Sequence, residues 1–299
     1  MRVDVSEVKT WKDCKRKHLF SSRNRYHLVP NKPNDNLIFG TQFHEVLHMI
    51  YMGVSIDKIL EWIDREVTDS VYWKVMNNMA QGYYNGPYQK DKDRYVVIDI
   101  EKKFDYPAVS PGDGLCYLDI DDEPIRLCGS IDMVCIDVLT GKLCGFEHKT
   151  AKNFRPDVYN IIDEQPRVYT WALKKILDDY HQHNKYLEIT EVDCIYLNQV
   201  KKLQTKFEFQ RTECRYSNYD LNRFMDDFCR TIYDIAICDD DTAPCPGFMK
   251  CQMCDYADLC MHYGYINVEK GDILDEFADE FQERDHDHLD EKTQRHVDE

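Results

Sequence analysis

A mixed α+β domain, with a central mixed β-sheet flanked by helices, is the fold class this sequence predicts, and three observations carry it. Helical periodicity runs through residues 37–84, apolar-alternating stretches follow between Tyr95 and Lys149, and further helix-like and strand-like stretches continue to Ile237. Helices, then antiparallel strands, then helix, strands and helix is not the strict alternation of a doubly wound fold. With 299 residues the chain is long enough to bury a substantial core.

In order, residues 5–20 read as a short helix carrying Cys14 and ending near Ser21 and Ser22. Residues 30–36, with two prolines and three asparagines, read as a loop. Over residues 37–52, Phe39, Phe43, Val46, Leu47 and Ile50 fall at helical spacing, with His44 and His48 one turn apart. Ser55 is placed to cap a second helix through residue 67, and an aromatic-rich third reaches residue 84. Strands are expected near 95–104, 115–120, 125–138 and 142–149. A helix over 163–180, strands over 192–198 and 205–211, and a helix over 219–237 complete the core. The expected divisions are a helical region 1–93, a core 94–240, a cysteine-rich segment 241–266 and an acidic, disordered tail 267–299. Within that tail, residues 273–281 have the pattern of one short amphipathic helix.

Residues 129–150 are the most informative stretch. Two alternating strands joined by a turn at 139–142 form a β-hairpin. Side chains alternate across a strand, so Glu147 and Lys149 share one face and His148 points away. Asp132, on the neighbouring strand, can bring a second carboxylate beside them. Two carboxylates that close repel unless a cation lies between them, and oxygen ligands suit Mg²⁺ or Mn²⁺. The bland alternative is a solvent-facing hairpin with an ordinary salt bridge.

Thirteen cysteines without a secretory leader argue against a disulfide scaffold, and most sit in apolar runs as small hydrophobes. Cys251, Cys254 and Cys260 differ: CxxC followed by Cx5C in a loop is metal-ligand spacing. Cys245 nearby or the distant Cys14 is available as a fourth ligand, and spacing alone leaves zinc and an iron-sulfur cluster open.

The net charge of −17 argues at first against nucleic acid, but it is unevenly spread. Residues 267–299 hold thirteen acids against four Lys/Arg. Residues 9–25 hold seven Lys/Arg, among them Lys9, Lys12, Lys15, Arg16 and Lys17, against one acid. That basic run is either a solvated helix face or a phosphate-binding surface. No apolar run is long enough to span a bilayer and the polar start is unlike a secretory signal, so no membrane partner and a cytoplasmic location are expected. There is no GxxxxGK[ST] phosphate loop.

Taken together and in order, these motifs resemble those of a RecB-family nuclease of the PD-(D/E)XK superfamily, of the iron-sulfur type found in Cas4 and in the AddB nuclease domain. The Cys14-Lys-Arg-Lys segment resembles the first cluster cysteine, Gly40 to His44 the GxxxH helix, and Gly129 to Asp132 the GxxD strand. Glu147 to Lys149 resembles the (D/E)xK strand, Gln165 to Tyr169 the QxxxY helix, and Cys251, Cys254 and Cys260 the closing cysteines. Lys15 stands where the family has proline, Pro166 follows the glutamine, and the acidic tail has no counterpart.

The resemblance implies a restriction-endonuclease-like core spanning residues 94–240, with His44 contributed from the helical region. It implies Mg²⁺ or Mn²⁺ on His44, Asp132, Glu147 and the carbonyl of His148, with Lys149, Gln165 and Tyr169 completing the catalytic set. It implies a [4Fe-4S] cluster on Cys14, Cys251, Cys254 and Cys260, and leaves Cys245 as an ordinary loop cysteine. The expected activity is exonucleolytic hydrolysis of single-stranded DNA or DNA ends. Recombination, repair, phage replication or CRISPR spacer processing would supply the setting, in a bacterial cytoplasm or, for a phage-encoded chain, that of the host, with recombination or replication proteins as partners. Two other readings are a catalytically silent DNA-binding or assembly subunit and a zinc-stapled structural module.

Overall fold

The computed structural model of the protein describes residues 1–32, 34–183, 188–238, 244–264, 266 and 268–284. Its elements, in chain order, begin with β1 (Arg2–Val3), α1 (Val5–Asp13), α2 (Lys15–Ser21) and β2 (Leu28–Pro30). Four helices follow: α3 (Asp35–Tyr51), α4 (Ile56–Glu66), α5 (Ser70–Asn85) and α6 (Pro87–Asp91). The strands β3 (Tyr95–Pro107), β4 (Arg126–Asp137) and β5 (Lys142–Ala151) lead to α7 (Asp157–Ile161) and α8 (Glu164–His183). Next come β6 (Val192–Lys201), β7 (Phe209–Cys214) and α9 (Asn218–Ile237). The last elements are α10 (Phe248–Gln252), α11 (Ala257–Tyr263), α12 (Lys270–Glu276) and β8 (Phe281–Glu283). The mixed α+β class is as expected from the sequence.

Two units form. The larger is drawn from Asn34–Tyr117 and Pro124–Arg230, the smaller from the described residues of Met1–Pro33, Leu118–Glu123 and Thr231–Glu299. The division differs from the expected boundary at residue 93, because α3, α4 and α5 share an apolar core with the sheet. Phe39, Phe43, Val46, Leu47 and Ile50 pack with Ile59 and Ile63 of α4, with Val75, Met76, Met79 and Tyr83 of α5, and with Val200 of β6. The i, i+3, i+4, i+7 spacing on α3 is thus a buried stripe, and it carries His44 along its edge.

Five strands of the larger unit pair in the order β3, β4, β5, β6, β7, all antiparallel except β5 with β6. Parallel neighbours need a crossover, and α7 and α8 supply it. Gly129 is required by packing: a Cβ there would lie 2.8 Å from the Phe104 ring on the adjacent strand. Residues 115–120, expected as a strand, contribute no ladder but isolated bridge positions at Cys116, opposite Val109, and at Leu118. The acids after them make a turn instead, with Asp119 Oδ1 accepting the backbone N–H groups of Asp121 (3.0 Å) and Glu123 (3.1 Å).

In the smaller unit the expected single helix over 5–20 is two, broken at Cys14, whose backbone is extended. Asp4 caps the first, its Oδ1 accepting from Glu7 N at 2.9 Å. The two ends of the chain meet here: β2 pairs antiparallel with β8, Leu28 opposite Glu283. Leu19, Phe20 and Leu28 pack with Tyr256, Leu259, Val268, Ile273 and Phe281. Residues 268–284, expected as part of a disordered tail, therefore carry a helix and a strand, because their few apolar side chains find a core supplied by the chain's other end. Residues 285–299 lie outside the described residues.

Candidate active site

The pairing of β4 with β5 stops at Met133 opposite Phe146. One residue further, the same register sets Asp132 across from Glu147, where β4 continues along β3 and β5 continues along β6. The sheet splays at that step. The backbone N–H of His148, having left the β4 ladder, donates to Asp132 Oδ2 at 2.6 Å. Asp132 Oδ1 lies 3.4 Å from His44 Nδ1, which reaches over from α3.

Glu147 is almost fully buried. Its Oε1 pairs with Lys149 Nζ and accepts from Gln165 Nε2 at 2.8 Å, while Oε2 is buried and has no hydrogen-bond partner. Gln165 Nε2 also donates to the Tyr169 hydroxyl oxygen at 2.9 Å. Asp163 accepts from Gln165 N at 2.9 Å at the start of α8, which sets Gln165 in the first turn and Tyr169 one turn later. Pro166 is tolerated there because first-turn N–H groups have no helical acceptor.

The electrostatics separate the two carboxyls. Burial, then the nearby charge of Asp132, pushes Glu147 up to about 7 despite Lys149. Burial also works to raise Asp132, but the His44 hydrogen bond and charge bring it below the usual carboxylate range. Burial disfavours the charged form of His44 and of Lys149, yet Asp132 holds the imidazolium up and Glu147 holds the ammonium up. One buried spot thus holds a carboxylate pair, of which one member resists ionisation, with an unsatisfied oxygen. That is the donor set an oxygen-preferring divalent cation fits. Among the described residues no three of His, Cys, Asp or Glu converge closely enough to hold a single metal ion. Lys149 and the His148 N–H instead occupy one oxygen of each carboxylate.

A family model described as the PD-(D/E)XK nuclease superfamily matches residues 2–261. The chain belongs to that superfamily. No curated protein sequence matches it. Among solved structures, a candidate exonuclease from Eubacterium rectale is similar at 11% identity and TM-score 0.46, covering 92% of each chain. A protein designated SSO0001 is similar at 11% identity and TM-score 0.40, covering 87% of this chain and 85% of its own.

Behind this PD-(D/E)XK site lies a buried network that sequence reasoning missed. His148, Asn198 and Arg211 stand in register across β5, β6 and β7. Asn198 Nδ2 lies 3.3 Å from His148 Nδ1, and its Oδ1 accepts from Arg211 Nε at 2.7 Å. Arg211 makes a two-pronged pair with Asp91 at 2.8 and 2.7 Å, and Asp91 also accepts from the Tyr51 hydroxyl at 2.7 Å. Burial pushes His148 down to about 3, so its ring is neutral at ordinary pH. The signal was one polar side chain at the inward parity of three strands, and reading it requires the parallel register of β5 on β6.

The smaller unit gathers Cys14, Cys245, Cys251, Cys254 and Cys260 around one open cavity of about 710 Å³. All five are free thiols. Cys245, expected as an ordinary loop residue, lines the same cavity, and its backbone N–H lies 3.4 Å from Cys14 Sγ. Burial raises Cys254, and raises Cys260 to about 11. Of the basic run proposed for phosphate binding, Arg16 is fully buried and donates to the Ile266 carbonyl at 2.7 Å, so it is a packing residue with no access to a ligand. Lys15 lies over the Trp11 ring at 4.5 Å and Lys17 lines the cysteine cavity. Lys9 and Lys12 lie along α1.

Proposed function

We propose that this protein is a metal-dependent deoxyribonuclease, acting as an exonuclease on single-stranded DNA or DNA ends. The observation that carries the reading is Glu147 Oε2, buried without a partner at the splay of β4 and β5, beside the Asp132 carboxylate. An orphaned buried carboxylate oxygen costs free energy, and membership of a nuclease superfamily supplies a reason to keep it.

His44, Asp132, Glu147 and the His148 carbonyl would hold Mg²⁺ or Mn²⁺, which when bound supplies a more acidic water and neutralises phosphate charge. Lys149, kept protonated by Glu147, serves as a donor to the attacking water and to the developing negative charge. Gln165 steers Glu147 and is itself held by Tyr169. Gly40, one turn before His44, leaves open space where a Cβ would stand, with nothing from outside its own stretch of helix within 4 Å. In-line attack would leave a 5′-phosphate and a 3′-hydroxyl.

The four cysteines Cys14, Cys251, Cys254 and Cys260 would hold a [4Fe-4S] cluster, an assignment supported by their sharing one cavity across the two ends of the chain. Iron and sulfide analysis after anaerobic purification tests it, and a colourless protein with stoichiometric zinc would replace it with the zinc-stapled alternative.

Digestion of end-labelled and circular single- and double-stranded DNA with Mg²⁺ or Mn²⁺ tests the activity. Lys149→Ala is expected to lower cleavage by about 10²–10³-fold with DNA binding retained. Cleavage by the variant at the wild-type rate would leave the silent-subunit reading in its place.

A further inference from the structure

A second cavity, of about 470 Å³, opens in the larger unit at the far end of the buried polar row, where Lys90, Asp91, Arg94, Phe207, Phe209 and Arg211 line it together. Arg211 stands two strands from His148 in the sheet register, about 10 Å at ~4.8 Å per strand, so the cavity is separate from the carboxylates. Three of these side chains are cationic, in a chain of net charge −17. Asp91, the one acid among them, is buried with both oxygens on Arg211. Arg94 commits Nε and Nη2 to buried Asp137 at 3.2 and 2.7 Å, and its Nη1 has no partner among the described residues. Lys90 is exposed, with no carboxylate in ion-pair distance among the described residues.

The same cavity carries a pair of phenyl rings, Phe207 and Phe209, parallel to within 9°. The loop that bears Phe207 is fixed to α5 by Asn78, whose Nδ2 donates to the carbonyls of Leu203 and Lys206 at 2.8 and 2.9 Å. Gly82 of α5 admits the ring, since a Cβ there would fall 2.2 Å from Phe207 ring atoms. Phe209 meets Tyr83 edge to face, centroids 5.7 Å apart, and the Arg211 guanidinium lies over it at 5.5 Å. Both rings are only half-buried, so each keeps surface for a ligand. Anchored flat rings beside uncommitted cations suit a molecule that joins an aromatic ring to an anionic group.

We propose that this cavity binds a free nucleoside monophosphate, its base against Phe207 and Phe209 and its phosphate on Lys90 and on Nη1 of Arg94. Every base has a π-face for such rings, and phosphate takes charge-assisted bonds from ammonium and guanidinium groups. Small-molecule sites span ~300–1,000 Å³, so a cavity of about 470 Å³ accommodates one nucleotide and not a strand. Binding here goes beyond the nuclease reading and does not depend on it. The link between the two is one of supply, and that link alone rests on the nuclease reading: exonucleolytic cleavage releases molecules of this class.

Calorimetric titration of the full-length protein with deoxyadenosine monophosphate (dAMP) in EDTA tests it, with deoxyadenosine and inorganic phosphate as comparison ligands. One site is expected, with a Kd of about 10–100 μM for dAMP. Lys90→Glu is expected to weaken dAMP about tenfold and to leave deoxyadenosine unchanged, because it reverses a charge that only the phosphate meets. Phe207→Ala is expected to weaken both about fivefold, through the base. Unaltered dAMP affinity in both variants overturns the site, as does the absence of binding at about 1 mM dAMP. Inorganic phosphate bound as tightly as dAMP makes it a simple anion site and overturns the nucleotide. A 5′-phosphorylated oligothymidine bound more tightly than dAMP, and weakened by the same two substitutions, assigns the cavity to a strand and overturns the free nucleotide. No metal is present and no cleavage is read, so loss of this site leaves the nuclease reading standing, and that reading falls only on the DNA digestion described above.

Discussion

In the larger unit the reactive groups are held by side-chain hydrogen bonds of the protein's own making, whereas in the smaller unit the thiols line a cavity and meet backbone N–H groups, those at Cys14 and Cys251 at a long 3.4 Å. Behind the carboxylates stand a register-aligned polar row and an aromatic cluster of Tyr95, Phe146 and Tyr196. Behind the cysteines stands a core of eight buried apolar side chains among the described residues. A site built on the first plan keeps its shape before any ion arrives. With the proposed cluster bound, a site built on the second would draw its shape, and part of its folding free energy, from that ligand.

The sharpest way to break that contrast is to remove single thiols. Cys14→Ala and Cys254→Ala should each lose iron and unfold the smaller unit, a loss on the order of several kcal/mol, because ligation energy is folding energy. Cys245→Ala should keep its iron, since the contact to Cys14 comes from a backbone N–H that alanine retains. Iron assay and far-UV melting of the three proteins decide it; a full cluster in Cys14→Ala with loss in Cys245→Ala would reassign the fourth ligand. Next in size is Arg211→Ala, which strands Asp91 as a buried, uncompensated charge. About 3–5 kcal/mol of stability should go, read by denaturant titration. A cost under 1 kcal/mol would show that the buried row is not what stiffens the site.

A smaller effect separates the units by pH. A Glu147 carboxyl raised to about 7 contributes stability to the metal-free protein that is fully present below the unfolded value near 4.5 and is lost as pH rises through 7. The proposed Mn²⁺ binding would require the ionised form and would relieve that loss. The Mn²⁺-induced rise in Tm should therefore be larger at pH 8.5 than at pH 5.5, by on the order of 2 kcal/mol in stability. Equal shifts at both pH values would remove Glu147 from the ligand set.

In the smaller unit the sign reverses. Burial works to raise Glu7, but hydrogen bonds from His18 (3.1 Å), Ser22 and Asn24 hold it below the carboxylate range. Its contribution is present above pH 4.5 and is lost as pH falls through the lower folded value. Glu7→Gln should flatten the acid limb of the stability profile by about 1 kcal/mol. An unaltered acid limb would place the acid sensitivity elsewhere.

Particular residues show what the sequence can and cannot disclose. Asp132, Glu147 and Lys149 were legible because strand parity and a short hairpin turn fix their common face locally. His44, Gln165 and Tyr169 came from the family's motif order, and the structure brings all of them to the same splay. Asn198 and Arg211 were not legible, since the parallel pairing of β5 with β6 aligns residues 50 positions apart and leaves no local pattern. Arg16 misled because seven neighbouring cations look like a surface, while its guanidinium in fact holds the carbonyl of Ile266. Residues 268–284 misled for the opposite reason: Val268, Ile273 and Phe281 are too few to make a core of their own, and Leu28 and Phe20 complete it from the far end of the chain.

The pairing of β2 with β8 also sets a timetable for synthesis. All residues of the larger unit have been translated once Arg230 is added, so its sheet can form while the chain is still growing. Leu19, Phe20 and Leu28 wait for partners as late as Phe281, some 250 residues on. At ~5–20 residues per second that is about 12–50 s on the ribosome, during which an apolar segment with basic neighbours is uncovered. The nascent first 30 residues are therefore expected to be the part of this protein that engages chaperones.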